Sequence, residues 1–213
     1  MSASDRPAPP RVPRTRRSLV IRRIDHVGDP VGIAFLESPE TDGDAVLERI
    51  REYLGDRLKL VKAEVSHDEI TVEVESRGWS EEGTRLADAA RELYRKGAKR
   101  AALATYRDAL DLDPLNAEAN YHLGLALVER ERFADAFAAL KRARELGSSG
   151  VELLNALARS ASALDRRASA IAYYEEALKI EPRNFVARRA LGSLGHKFVA
   201  TSKELGPVRS RRD

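Results

Sequence analysis

The sequence predicts a mainly α-helical fold: three helical hairpins stacked in an array and closed by a capping helix, preceded by a small α+β unit of order β-β-α-β-β. Three observations predict it. Tyr106-Arg-Asp-Ala109-Leu-Asp-Leu-Asp-Pro114 returns 68 residues later as Tyr174-Glu-Glu-Ala177-Leu-Lys-Ile-Glu-Pro182, with a diverged copy midway. Alanines stand in columns 34 residues apart: Ala102, Ala136 and Ala170, then Ala109, Ala143 and Ala177. Ahead of these repeats, residues 18–76 change to the two-residue alternation of half-buried strands.

Residues 1–17 carry four prolines and five arginines with almost nothing apolar, which predicts a disordered basic tail. In 18–76, Leu19 and Ile21 alternate with polar residues, Gly28-Asp29-Pro30 signals a turn, and Val31, Ile33 and Phe35 alternate again, as in a hairpin. Thr41 and Asp44 suit a helix N-terminus, and Val46, Leu47, Ile50 and Leu54 then fall on one helical face. Leu58 to Val65 reads as a strand, 66–69 as a turn, and Ile70, Val72 and Val74 as a last alternating strand. One helix over a four-stranded antiparallel sheet is the expectation. Residues 77–82 link it to the repeats. Trp79, the only tryptophan, suits a wedge at this joint or a cover for the open end of the first repeat.

The hairpins are expected over 83–116, 117–150 and 151–184, with the capping helix over 185–204 and a fraying tail over 205–213. Small residues in the two alanine columns allow close helix approach, which larger side chains would oppose by about 1–3 kcal/mol. Tyr106, Leu140 and Tyr174 fill the space beside them. Gly97 suits a left-handed hairpin turn. Pro114 and Pro182 stop their helices, because proline lacks the amide and clashes with the preceding turn. The middle hairpin ends in Gly147-Ser-Ser-Gly150 instead.

These residues resemble the tetratricopeptide repeat family over 83–204, with Leu123-Gly124 recurring as Leu191-Gly192 in the capping helix. The departures are Ala89-Ala90 in place of Leu-Gly, and Glu131 and Asp165 in place of the usual turn glycine. The resemblance implies a right-handed superhelix that binds a protein or peptide in its concave groove. The groove positions it implies include Arg91, Tyr94, Arg95, Tyr121, His122, Leu125, Asn155, Arg159, Arg189 and Lys197, with Ala87, Val128, Ser162, Ser193 and His196 beside them. Arginine forks and tyrosine rings suit an acidic peptide or a C-terminal carboxylate. Glu118, Glu129 and Glu152 lie near the same face and dilute its positive charge. Some members clamp the C-terminal tails of heat-shock chaperones through a lysine-asparagine-asparagine-lysine-arginine set. The matching positions here are Ala87, Arg91, His122, Glu152 and Ala156, so that ligand is not expected.

Chemistry-bearing motifs are not found. The four histidines, His26, His67, His122 and His196, show no metal-ligand spacing, and no phosphate-binding glycine loop or nucleophile elbow occurs. No catalytic residue, cofactor or metal is therefore expected, and the chain reads as a non-enzymatic adaptor. The unassigned 18–76 unit leaves open an enzymatic or regulatory role with the repeats as a targeting module. There is no cysteine, no apolar run of membrane-spanning length and no secretory signal, so the cytoplasm is the expected location. The alanine and arginine content fits a high-GC bacterial genome. Charge is segregated: seven arginines against one aspartate over 1–23, then fourteen acids against six bases over 24–79. Beyond a solvated, disordered segment, the basic tail has two alternative uses: contact with nucleic acid or an anionic surface, and folding back on the acidic unit or on its copy in another molecule. It lacks interleaved aromatics, so sequence-specific nucleic-acid binding is not expected. Val186, Val199 and Leu205 are apolar residues left over for a homo-oligomer contact.

Overall fold

The computed structural model describes residues 14–22, 43–66, 69–77 and 80–196. The N-terminal unit contains β1 (Arg14–Arg22), α1 (Gly43–Leu54), β2 (Leu58–Val65) and β3 (Glu69–Arg77). The helical array follows as α2 (Ser80–Arg95), α3 (Lys99–Leu112), α4 (Ala117–Glu129), α5 (Phe133–Glu145), α6 (Val151–Ala163), α7 (Arg167–Ile180) and α8 (Phe185–Ser193).

The three strands form one antiparallel sheet in the order β1-β3-β2. Alternation sends Leu19, Ile21, Ile70, Val72 and Val74 to one face, where Val46, Ile50 and Leu54 of α1 cover them. The strand expected over Val31–Phe35 lies outside the described residues, so the described sheet has three strands where four were expected. A second expectation is corrected: the chain is already a strand at Arg14, inside the segment expected to be disordered to residue 17. The backbone ladder with β3 carries the extension, from Arg14 opposite Arg77 to Arg22 opposite Glu69. β1 pairs with the acidic strand β3, and Arg16 lies 3.8 Å from Glu75 and 4.0 Å from Glu73. Part of the basic segment thus does fold back on the acidic unit.

The array consists of the hairpins α2–α3, α4–α5 and α6–α7 with α8 closing them. Both alanine columns are fully buried, and Tyr106, Leu140 and Tyr174 are buried beside them. At the tightest point Gly124 faces Leu140: a Cβ at Gly124 would sit 2.5 Å from Leu140 Cγ. The same register holds Ala90 and Ala158, both fully buried, and then Gly192. A Cβ on Gly192 would meet nothing within 4 Å, since no second helix faces α8 among the described residues.

Each inner helix ends in the same reciprocal turn. At Gly97, the amide donates to Tyr94 O and the next amide, of Ala98, to Leu93 O. Glu131 and Asp165 occupy that left-handed position in the next two hairpins, with φ of 59° and 58°, and make the equivalent bonds. The turn recurs at Gly195, which ends α8 at Ser193. The capping helix is therefore shorter than the span 185–204 expected for it, and residues 197–213 lie outside the described residues.

The N-terminal unit docks on the C-terminal ends of the outer helices α3 and α5. Leu115, after α3, belongs to the core of the unit, and Leu146, after α5, packs on it. Tyr53 of α1 donates its hydroxyl to Glu145, while Lys141 and Arg142 lie 5.1 and 5.2 Å from its ring centroid. Arg57 reaches the Asp111 carboxylate at 3.1 Å and its carbonyl at 2.6 Å. Trp79, expected as a cover for the first repeat or a wedge at the joint, lies outside the described residues.

The register predicts opposite outcomes for one substitution at two sites. Gly124→Ala destabilises the chain by about 1–3 kcal/mol, because Leu140 must move aside. Gly192→Ala is neutral or stabilises by up to about 1 kcal/mol, because alanine is the better helix former and has room. Urea unfolding midpoints of the two variants measure the contrast.

Candidate functional site

The inner helices α2, α4, α6 and α8 carry the same positions at 34-residue steps, so side chains at equal register form rows across the concave face. One row is Ala87, Tyr121, Asn155 and Arg189; another is Arg91, Leu125, Arg159 and Ser193. Close packing of the small residues behind them holds these helices side by side, and α2 touches α4 as α4 touches α6.

The rows open into a cleft of about 510 Å³ between α4, α6 and α8. Leu125, Val128, Ala156 and Val186 give it apolar walls, with Tyr174 of α7 behind. Asn155 and Arg159 supply its polar side from α6. Asn155 Nδ2 donates to Asn184 Oδ1 at 3.3 Å, and that same oxygen caps α8 by accepting from the Ala187 amide at 2.9 Å. The Oδ1 of Asn155 is buried and has no hydrogen-bond partner among the described residues. The Arg159 guanidinium lies 5.8 Å from the Phe133 ring centroid and makes no ion pair among the described residues. Glu152 and Glu181 border the cleft, so its charge is mixed.

The remaining expected groove residues separate into two groups. Arg91, Tyr94, Tyr121 and His122 lie toward the first two hairpins and are engaged by the protein's own acids. Arg91 pairs with Glu118 and, at 2.6 Å, with Asp88. The Tyr121 hydroxyl donates to Glu152 at 2.7 Å, and Lys99 donates to Glu129 at 2.6 Å beside Tyr94. Burial and the neighbouring Glu152 and Glu129 push the Tyr121 and Tyr94 phenols up. His122 is held between rings, 6.0 Å from Tyr106 in a stacked arrangement and 5.1 Å from Tyr121 edge-on. Burial pushes its imidazole down from the ordinary value. Arg95 pairs with Glu92 on its own helix, Arg189 is exposed on α8 outside the cleft lining, and Lys197 lies outside the described residues. Asn184, Val186 and Tyr174 complete the cleft without having been singled out as groove residues. Asn184 follows Pro182 as a helix-capping signal, so its position was readable while its partnership with Asn155 was not.

Among the described residues, none from the N-terminal unit lines this cleft. Among the described residues no group of three or more His, Cys, Asp or Glu side chains gathers in a way that would hold a metal ion, and no helix is long and apolar enough to cross a membrane.

Two family models, both described as tetratricopeptide repeat, match residues 87–151 and 151–184. They begin beyond the N-terminal unit. Among solved structures the chain is similar to YrrB, described as a tetratricopeptide repeat protein with an unusual peptide-binding site: 26% identity, 51% of this chain, 56% of that chain, TM-score 0.48. It is similar to MamA at 24% identity, covering 55% of this chain and 63% of that one, with a TM-score of 0.50. The first repeat domain of Spaghetti, solved with an HSP90 peptide, matches at 24% identity over 55% of this chain and 94% of that chain, TM-score 0.49. The chain spans just over half the length of YrrB. No curated protein matches it.

The buried imidazole sets a pH dependence. The folded chain keeps His122 neutral at pH values where the unfolded chain protonates it. Stability from this site is complete above the ordinary histidine value near 6.5 and is lost as pH falls through the lowered one. The urea midpoint therefore drops as pH falls below the ordinary histidine value, and His122→Gln makes that drop shallower.

Proposed function

With residues 87–184 a tetratricopeptide repeat array, we propose that this chain is a non-enzymatic adaptor that holds a segment of a partner protein in its concave cleft. The observation that carries the reading is the concave cleft itself, with apolar walls from α4, α6 and α8 and the Asn155 and Arg159 side chains on its polar side. Such a surface suits an extended peptide, which brings alternate side chains and a row of backbone polar groups. Leu125, Val128 and Val186 would take an apolar side chain, and Arg159, free of ion pairs among the described residues, would take a carboxylate.

The preferred ligand is thus an extended segment with one apolar anchor and a carboxylate near it. A general preference for acidic peptides is weaker than the row of arginines implies, because Arg91 already has Asp88 and Glu118. The chaperone-tail clamp is not favoured: Ala87 and Ala156 are buried alanines and Glu152 is an acid already engaged by Tyr121. The cytoplasm remains the proposed location.

Affinity capture from the source cell with wild type and Asn155→Ala/Arg159→Ala tests the reading. Wild type retains a defined set of partners that the double variant loses, with both proteins melting within a few degrees of each other. Recovery of the same partners by the variant sinks the assignment.

A further inference from the structure

A second cleft, of about 680 Å³, lies on the opposite side of the array. Its origin is a mismatch between repeats. Because the inner helices touch along the array, the outer helices stand further apart and leave gaps on the convex side. The gap between α5 and α7 is filled. Tyr173 of α7 is fully buried there, its ring 6.2 Å from Phe137 and 5.4 Å from the Arg144 guanidinium. Arg144 in turn donates to both oxygens of Glu176, at 3.0 and 2.8 Å.

In the gap between α3 and α5 every one of those fillers is replaced. Thirty-four residues before Tyr173 stands Ala139, and before Phe137 stands Leu103. Where the filled gap has the carboxylate of Glu176, the open one has the cation Arg142. The result is an apolar floor of Leu110, Leu123 and Leu127 under a rim that includes Arg107, Arg132 and Arg142. The docked N-terminal unit adds a fourth guanidinium, Arg57, against one lining carboxylate, Asp135. Arg107 is exposed and has no ion pair among the described residues. Arg57 and Arg132 hold exposed acids, Asp111 and Asp135, in surface pairs worth about 0–1 kcal/mol, which exchange readily for a better partner.

We propose that this outer cleft, completed by Arg57 of the N-terminal unit, is a second docking site, for an acidic segment of a partner protein that inserts an aromatic side chain over Ala139. The ring takes the place that Tyr173 fills in the next gap, and a flanking carboxylate supplies the charge that Glu176 provides there. Aromatic anchors set in a ring of arginines are the usual composition of an energetic hot spot. The N-terminal unit then has a binding role: it supplies Arg57 to the rim of the site, and its docking through Tyr53 and Arg57 holds that side chain there.

The probe is a fluorescein-labelled peptide of glutamates and aspartates around one central tyrosine, titrated by fluorescence anisotropy against the full chain. Wild type binds it saturably. Ala139→Tyr, which copies the next repeat, weakens binding by roughly tenfold or more, as does Arg107→Glu. A peptide with serine in place of tyrosine binds as weakly as the variants do, and saturable binding persists in an Arg159→Ala background, which disables the carboxylate partner of the concave cleft. Circular dichroism melts report whether each variant is folded. If Ala139→Tyr does not fold, the exposed Arg107→Glu carries the test. Lack of binding by wild type overturns the proposal, as does equal binding by folded Ala139→Tyr or by Arg107→Glu. Loss in Arg159→Ala overturns it by moving the peptide to the concave side. Self-association in sedimentation that Ala139→Tyr abolishes overturns it in favour of a second copy of this chain.

Discussion

Close approach of helices at the row Ala90, Gly124 and Ala158 is the constraint from which the rest of the array follows. At Gly124 there is no room for even one methyl group beside Leu140. With small residues at that row, each outer helix lies flat on its inner partner, and the inner helices touch along the array. Spacing on the two sides cannot then be equal. The inner rows meet as a continuous concave surface, and the outer helices spread. Side-chain size decides what becomes of each outer gap: Tyr173 and Phe137 close one, while Ala139 and Leu103 leave the other open.

The N-terminal unit is held by chemistry of a different kind. Among the described residues, its own core is nine apolar side chains from the sheet and α1, joined by Leu115 from the array. Around that contact lies a polar joint whose centre is Glu145, almost fully buried, 3.0 Å from Arg142 and bonded to the Tyr53 hydroxyl. Burial pushes this carboxyl up, and the Arg142 charge and the Tyr53 bond pull against that. A buried charge is tolerated only where it is paired on several sides, which makes such a joint demanding of geometry. It positions the unit away from the concave cleft and beside the outer one.

Repeats were readable because the same packing problem is solved three times with nearly the same residues. The alanine columns, Pro114, Pro182 and the left-handed Gly97 all lie where their spacing placed them. Strands β2 and β3 and helix α1 were readable for the simpler reason that each buries one face. What the pattern could not carry is the pairing of side chains distant in sequence. Arg91 reads as a free groove cation until Glu118 is seen beside it. Tyr53 reads as an ordinary helix residue, and its match with Glu145 spans two units. The strand at Arg14 was hidden by composition, because an arginine-rich segment has no core of its own until acidic β3 is placed alongside. Leu125, Asn155 and Arg159, which line the cleft, are among the groove positions that the family resemblance implied, whereas Asn184 and Val186 enter through the turn that seats α8.

The central claim is that the concave cleft is where a partner sits. Site-specific photo-crosslinking tests it most directly, with benzoylphenylalanine placed at Leu125 in the cleft wall and, separately, at Thr71 on the sheet of the N-terminal unit. A discrete adduct from Leu125 that is missing from Thr71 is the predicted result. An adduct from Thr71 with none from Leu125 would contradict it.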